Sequence, residues 1–573
     1  MLKVPSATAD GARMTLLALR RYVTAAAGFT LAINLLMLVS PLHMIQVYDR
    51  VLTSGSVDTL VLITGLAVVL LLVYAVADAG RKSIFSLLGR RFAERLELPV
   101  FASAAASPDA ARDVSAAMGS LATVQKFVIS GGPAPFFDAP YVPLFALLLF
   151  FIHPWLGAIG LAGALILIGL AVVMELTTRM TVEETGRREG LAQAFLAGAS
   201  RQYSAVAGMG MASAVFRIWQ RLKSEASDIQ STSGDRSNLL AAISRSLRQV
   251  LQVIMLSAGA YLTLKHEVSP GAIIASSIIL SRALAPVDQA LGQWAQIVKV
   301  REAWNKLVMR LPPEALDASE VTPIPRPEGK LSLEGLSIGV PGGRDPLIAR
   351  MGLALEPGSL MVVIGANGSG KTSFLQTLTG AWPVHSGIVR LGGRDIHAWA
   401  GEDRGRYVGY LPQDVELLPG TVRENIARFS EGEPEPVFEA VRLAGCSEAI
   451  LRMGKGFDTP VGPGGVHVSA GQRQSIGLAR ALYGDPVLLV LDEPTAHLDS
   501  TRAAAMAGLL RDLKAGGRVM IVATHDLNIL NVADQVMNLS GGYASVASGE
   551  DYRKSLAEYK RNAGMPIARE VVT

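Results

Sequence analysis

Thiols are nearly absent: Cys446 is the one cysteine in 573 residues. This excludes an intramolecular disulfide and any thiolate metal cluster, and leaves Cys446 as a small packing side chain. Charge is scarce as well, at 18% of residues against 50% apolar, with a mean hydropathy of +0.35. A water-soluble enzyme carries more charge than this, so part of the chain belongs in lipid. A cleavable secretory signal is missing, because the first apolar run starts beyond residue 20 and is too long for an h-region. Internal repeats and low-complexity segments are missing too. What is present is a chain too long for one core, so two or more domains are expected. Its net charge of +4 and pI near 9.0 fit either a nucleic-acid partner or basic loops at a membrane.

Six apolar stretches read as membrane spans, at about 20 residues per crossing. They are Tyr22 to Tyr48, Thr59 to about Ala79, Pro140 to Ile152, Trp155 to about Leu176, Val250 to Leu264 and Gly271 to about Leu284. Basic residues alternate around them. Arg13, Arg20 and Arg21 precede the first span. Arg81, Lys82, Arg90, Arg91, Arg95, Arg112 and Lys126 follow the second, and ten more from Arg179 to Arg248 follow the fourth. The intervening loops hold only Arg50, none, and Lys265. This alternation follows the positive-inside rule, with both ends of the region cytoplasmic, and it decides for loops and against nucleic acid.

The two long connectors, around Arg179 to Ala199 and Phe216 to Ser227, have helical spacing with mixed charge. They read as spans prolonged into the cytoplasm, punctuated at Gly131-Gly132-Pro133 and Gly208-Met209-Gly210-Met211. Met209 and Met211 are packing residues, since no His or Cys accompanies them. The expected organisation is a short N-terminus (1–21), a six-helix membrane domain (22–310), a proline-rich linker (311–329), an α/β domain (330–560) and a tail (561–573).

The second half carries the chemistry. Leu360-Met361-Val362-Val363-Ile364 reads as a buried strand, and Gly365-Ala366-Asn367-Gly368-Ser369-Gly370-Lys371-Thr372 completes a P-loop, with Ser373 continuing into a helix. Glycines let backbone N–H groups turn onto phosphates at a helix N-terminus, Lys371 reaches the β- and γ-phosphates, and the Thr372 hydroxyl suits Mg²⁺. Downstream, Leu488-Leu489-Val490-Leu491-Asp492-Glu493 is a second buried strand ending in two carboxylates. Asp492 is placed for Mg²⁺, and Glu493 is the candidate base for an attacking water.

Further residues resemble the ABC-transporter pattern. Val468-Ser469-Ala470-Gly471-Gln472 is similar to the signature Leu-Ser-Gly-Gly-Gln, Gln413 to the Q-loop glutamine, Ala496-His497-Leu498-Asp499 to the D-loop and His525 to the switch histidine. The resemblance runs from about residue 330 to 545. It implies an α-helical six-span domain of the type I exporter kind followed by an α/β nucleotide-binding domain, working as a homodimer with ATP and Mg²⁺. It implies that Ser469, Gly471 and Gln472 bind the γ-phosphate of a nucleotide on the other subunit's P-loop, with Asp499 at the same junction. Gln413 then senses γ-phosphate and metal, and His525 holds γ-phosphate and water near Glu493. The chain departs from the pattern at Val468 and Ala470, at Pro463 and Ser475, and near Val340-Pro341-Gly342, where the adenine-stacking aromatic is missing.

Val47-Tyr48-Asp49-Arg50-Val51-Leu52, Phe137-Asp138-Ala139-Pro140-Tyr141-Val142-Pro143 and Val340-Pro341-Gly342-Gly343 look like type I secretion ATPases of the PrtD kind. That resemblance implies an inner-membrane exporter of unfolded polypeptides with C-terminal signals. Its partners are a periplasmic adaptor, an outer-membrane channel and membrane lipids, with no nucleic acid. About 20 residues precede the first span, which leaves no room for an N-terminal peptidase domain. Two alternatives remain: a lipid or drug exporter acting alone, and a soluble P-loop ATPase on DNA, which the apolar first half opposes.

Overall fold

A computed structural model describes residues 19–105, 110–310, 324–340, 343, 345–399, 401–462, 465, 467–496 and 500–562. Expectations for residues 1–18, most of the proline-rich segment (311–323), Pro341-Gly342, Pro463, His497-Leu498-Asp499 and the tail from 563 lie outside the described residues. The chain divides between Ala318 and Ser319 into two compact units.

Six helices in the first unit are long and apolar enough to cross a membrane: Arg20–Ser54, Val57–Ala104, Ala134–Ile152, Pro154–Thr177, Asn238–Leu264 and Pro270–Gly292. The fourth and fifth belong to much longer helices, Pro154–Arg201 and Ala212–Leu264, as the patterned connectors predict. The sixth runs eight residues beyond Leu284, because Pro286 is carried inside the helix and does not end it. Spans three to six pack around Phe145, Leu149, Leu156, Leu167, Leu251, Met255 and Leu280, all buried. Gly160 and Gly163 permit this approach: a Cβ would lie 2.6 Å from Leu149 at Gly160 and 2.8 Å from Leu251 at Gly163. Outward faces of the second and fourth spans remain apolar, as Leu62, Val76, Leu165 and Leu176 illustrate. Beyond the spans, a second cluster of Phe92, Leu96, Val100, Leu121, Val124 and Leu307 binds Val57–Ala105, Ala110–Ile129 and Trp294–Arg310 together.

Two polar junctions sit inside this unit, and both fall on the short motifs of its first half. Buried Asp138 accepts from Arg81 Nη1 at 2.9 Å and from Asn34 Nδ2 at 3.0 Å, joining the first three spans. Arg81 also meets Asp78 at 3.1 Å. A charge buried this way is tolerated only when paired and hydrogen-bonded. Asp49 lies in a π-helical turn, Val47–Val51, and accepts from the Gly271 N–H at 2.7 Å and from the Ser269 hydroxyl at 2.5 Å. Its carboxylate thereby complements the N-terminus of the sixth span. Gly271 is required there, since a Cβ would stand 2.8 Å from both Asp49 oxygens.

The second unit is α/β. Strands β1 (Leu331–Gly339), β2 (Pro346–Leu355), β4 (Ser386–Leu391) and β5 (Arg394–Asp395) form an antiparallel sheet ordered β2-β1-β4-β5. The main sheet is ordered β12-β11-β3-β10-β9-β6, from β3 (Leu360–Gly365), β6 (Val408–Leu411), β9 (Leu488–Asp492), β10 (Val519–Ala523), β11 (Gln535–Ser540) and β12 (Tyr543–Ser548). All its pairings are parallel except β11–β12, and a short antiparallel pair, β7 (Gly420–Thr421) and β8 (Pro460–Val461), lies apart from both sheets. Strands β9 and β10 are buried along their whole length, which explains their uninterrupted apolar runs.

Candidate active site

Ligands of open parallel sheets bind beyond the carboxyl ends of the strands, and the predicted residues gather there. The P-loop leaves β3, His525 follows β10, Asp492 and Glu493 end β9, and Gln413 follows β6. The sheet order places these four strands side by side. The P-loop and four residues from three other strand ends are therefore brought to one edge.

The loop from Gly365 to Gly370 is shaped by its glycines. A Cβ at Gly365 would stand 2.6 Å from both the Leu539 carbonyl and Ser369 Oγ, so only glycine fits. Gly368 and Gly370 adopt φ of +80° and +93°, the left-handed region open to glycine. Asn367 and Gly368 are exposed at the loop's crest, and the helix Lys371–Leu378 starts at Gly370. Ser369 Oγ is buried without a hydrogen-bond partner among the described residues, which fits an oxygen-rich ligand in the cradle. Lys371 Nζ donates to the carbonyls of Gly365 at 2.7 Å and Ala366 at 3.3 Å, so its charge stands over the loop. Thr372 Oγ1 donates to Asp492 Oδ2 at 2.7 Å. A hydroxyl and a carboxylate so close are hard oxygen donors of the kind Mg²⁺ prefers, and the pair fits that ion. Ser373 lies partly buried in the first turn, its carbonyl accepting from Thr377.

Burial sets the charge behaviour of the acidic pair. Asp492 is 1% exposed, and burial raises its carboxyl above the ordinary range against the pull of Thr372 and Lys371. Burial likewise raises Glu493, with the nearby His525 drawing it down. A carboxylate moved toward neutrality is a better proton acceptor at working pH. Glu493 also sits at φ +47°, a strained backbone for a non-glycine residue, held by its N–H bond to the Ala523 carbonyl at 2.8 Å. His525 and Gln413 are exposed on the loops beside it.

The signature segment forms a separate element. Ser469 caps the helix Ala470–Leu482: its Oγ accepts from the Gln472 N–H at 3.2 Å, and Gln472 Oε1 accepts from the Ser469 N–H at 2.8 Å. This reciprocal capping box presents a helix N-terminus with Ser469 exposed. Ser475, one of the departures from the resembled pattern, donates back to the Gly471 carbonyl at 2.9 Å. Ser469, Gly471 and Gln472 make no hydrogen bond to the P-loop of their own chain among the described residues. Asp499 lies outside those residues.

One residue escaped the sequence reading. Gln474 is 2% exposed and its Nε2 donates to the carbonyls of Glu493 at 3.4 Å and Pro494 at 3.3 Å. An amide on the apolar side of an amphipathic helix was the available signal, because a buried amide demands partners.

A P-loop, an acidic pair and a histidine converging at strand ends, in a chain with six apolar spans, define a membrane-embedded nucleotide hydrolase. Residues 348–496 match the family described as ABC transporter. The type I secretion system ATP-binding protein PrsD of Rhizobium meliloti (strain 1021) is 35% identical over 516 residues, 89% of this chain and 88% of that protein. The alpha-hemolysin translocation ATP-binding protein HlyB of Escherichia coli O157:H7 is 25% identical, over 90% of this chain and 74% of its own length. A solved bacterial Atm1-family ABC exporter with ATP bound shares the fold at a TM-score of 0.76 and 21% identity, covering 96% of this chain and 99% of that one. The chain belongs to the type I secretion ATP-binding proteins of the ABC transporters. Its activity is ATP hydrolysis coupled to transport.

Proposed function

We propose that the protein is the inner-membrane motor of a type I secretion system, moving unfolded polypeptides with C-terminal signals in concert with a periplasmic adaptor and an outer-membrane channel. The observation that carries this is likeness to a type I secretion protein across both units, with the Asp49 and Asp138 motifs seated at structural junctions of the membrane unit. Two copies pair so that the capped helix at Ser469 of one faces the P-loop of the other, with Gly471, Gln472 and Asp499 at that junction. Gly365 to Thr372 and Ser373 hold the phosphates, and Lys371 lends them its charge.

Thr372, Asp492 and Gln413 would hold Mg²⁺, which would supply charge neutralisation at the phosphates. Glu493 accepts a proton from the attacking water, and His525 orients that water and the terminal phosphate. Binding closes the dimer and hydrolysis reopens it, and the long helices carry this motion to the spans. The membrane domain is taken as residues 22–310 and the ATPase domain as 330–560, joined by the 311–329 linker, with both termini cytoplasmic.

Deleting the gene and comparing the culture medium tests the reading. Specific polypeptides should vanish from the medium, return with the wild-type chain and stay absent with Lys371→Ala. An unchanged set of secreted polypeptides, with loss of lipid or drug efflux instead, would establish the alternative of an exporter acting alone.

A further inference from the structure

The sixth span differs from its neighbours in what it shows to the outside. Among the described residues, Pro270–Gly292 exposes no large apolar side chain, whereas the second span exposes Leu62 at 74% and Val76 at 72%. Its exposed side chains include Arg282 and Gln289, seven residues apart on one face, and Gln293 continues that face at the helix end.

Arg282 lies twelve residues from Pro270, about 18 Å along the axis at 1.5 Å per residue. In a hydrocarbon layer of about 30 Å that leaves about 12 Å to the other face, so a guanidinium turned to lipid there is costly. Arg282 has no hydrogen-bond or ion-pair partner among the described residues. Pro286, one turn on, is buried within the unit and has no N–H to give the Arg282 carbonyl. The exposed, unpartnered side chain points to water rather than lipid.

Four carboxylates of the membrane unit already have partners within the chain. Asp49 is engaged by Gly271, Asp138 by Arg81, Glu175 by Arg301, and Asp288 by Ser244 and Arg248. Arg282 is left without a fixed counter-ion among the described residues.

We propose that the Arg282–Gln289 face lines a water-filled translocation path and that Arg282 is a specificity-determining contact for the carboxylates of a moving, acidic polypeptide. This rests on the polypeptide-export reading above. A charge-assisted contact of this kind stands well above the neutral hydrogen bonds Gln289 can offer, so removing it selects against acidic segments first.

The test uses the full-length protein in lipid nanodiscs. In a Cys446→Ser background, Arg282→Cys should react with a membrane-impermeant thiol reagent, and Leu62→Cys should not. The binding probes are a short unstructured peptide of Glu, Gly and Ser, and its counterpart with Lys for Glu. The wild-type chain should favour the acidic peptide. Arg282→Gln should weaken it about tenfold, with Arg282→Lys retaining most of the affinity and basal ATP hydrolysis unchanged in both. Equal acidic-peptide affinity in Arg282→Gln and wild type, or an Arg282→Cys thiol as inert as that of Leu62→Cys, overturns the proposal alone. A wild-type protein that binds neither peptide but moves lipid overturns the export reading with it.

Discussion

Thr372 and Asp492, 120 positions apart, meet through a 2.7 Å hydrogen bond from the Thr372 hydroxyl to the Asp492 carboxylate. The contact ties the P-loop helix to the tip of β9. The same two oxygens would hold Mg²⁺. Thr372→Val keeps the shape and removes the donor oxygen. It should raise the Mg²⁺ concentration for half-maximal hydrolysis by about tenfold or more. An unchanged Mg²⁺ titration would refute the assignment.

Glu493→Gln preserves size and removes the base. Hydrolysis should fall by about 10²–10⁴-fold while ATP binding, followed by equilibrium dialysis, persists. Turnover near the wild-type rate would reject Glu493 as proton acceptor.

The pH profile follows from burial. Glu493 acts when deprotonated, and its carboxyl lies above the ordinary glutamate range. Activity should therefore fall as pH drops through that raised value, placing the acid limb of kcat/KM above the usual carboxylate range. Full activity down to about pH 4.5, the ordinary glutamate value, would contradict this.

Gln474 positions Glu493 from behind through its carbonyl. Gln474→Ala removes a buried donor worth about 1–3 kcal/mol, and kcat should drop about tenfold with little change in nucleotide affinity. A rise in KM with kcat preserved would place Gln474 in binding instead.

In the membrane unit, Arg81→Ala leaves Asp138 buried without its ion-pair partner and should destabilise by about 3 kcal/mol or more. Thermal unfolding in detergent micelles reads the loss, and an unshifted transition would show that the pair contributes nothing.

Much of this architecture can be read from residue order. The runs Leu360 to Ile364 and Leu488 to Leu491 announce strands buried on both faces, and the residues that follow them carry the nucleotide chemistry. Helix ends were harder. Pro286 looks like a stop, yet tertiary packing keeps the helix intact around it to Gly292. The motifs around Asp49 and Asp138 were visible as patterns, but their partners, Gly271 and Arg81, lie 222 and 57 positions away, and no local periodicity couples residues at such separations. Gln474 was hidden because its carbonyl partners, on Glu493 and Pro494, belong to backbone that every sequence has. The counterpart of Ser469 is assigned to another copy of the chain, where a single sequence gives no distance.

That assignment can be tested by mixing two inactive variants. Lys371→Ala damages the P-loop and Ser469→Arg the signature. If each site is shared between copies, a random 1:1 mixture contains dimers in which one site joins an intact P-loop to an intact signature, and about a quarter of wild-type ATP hydrolysis should return. A mixture as inactive as its two components would contradict the shared site.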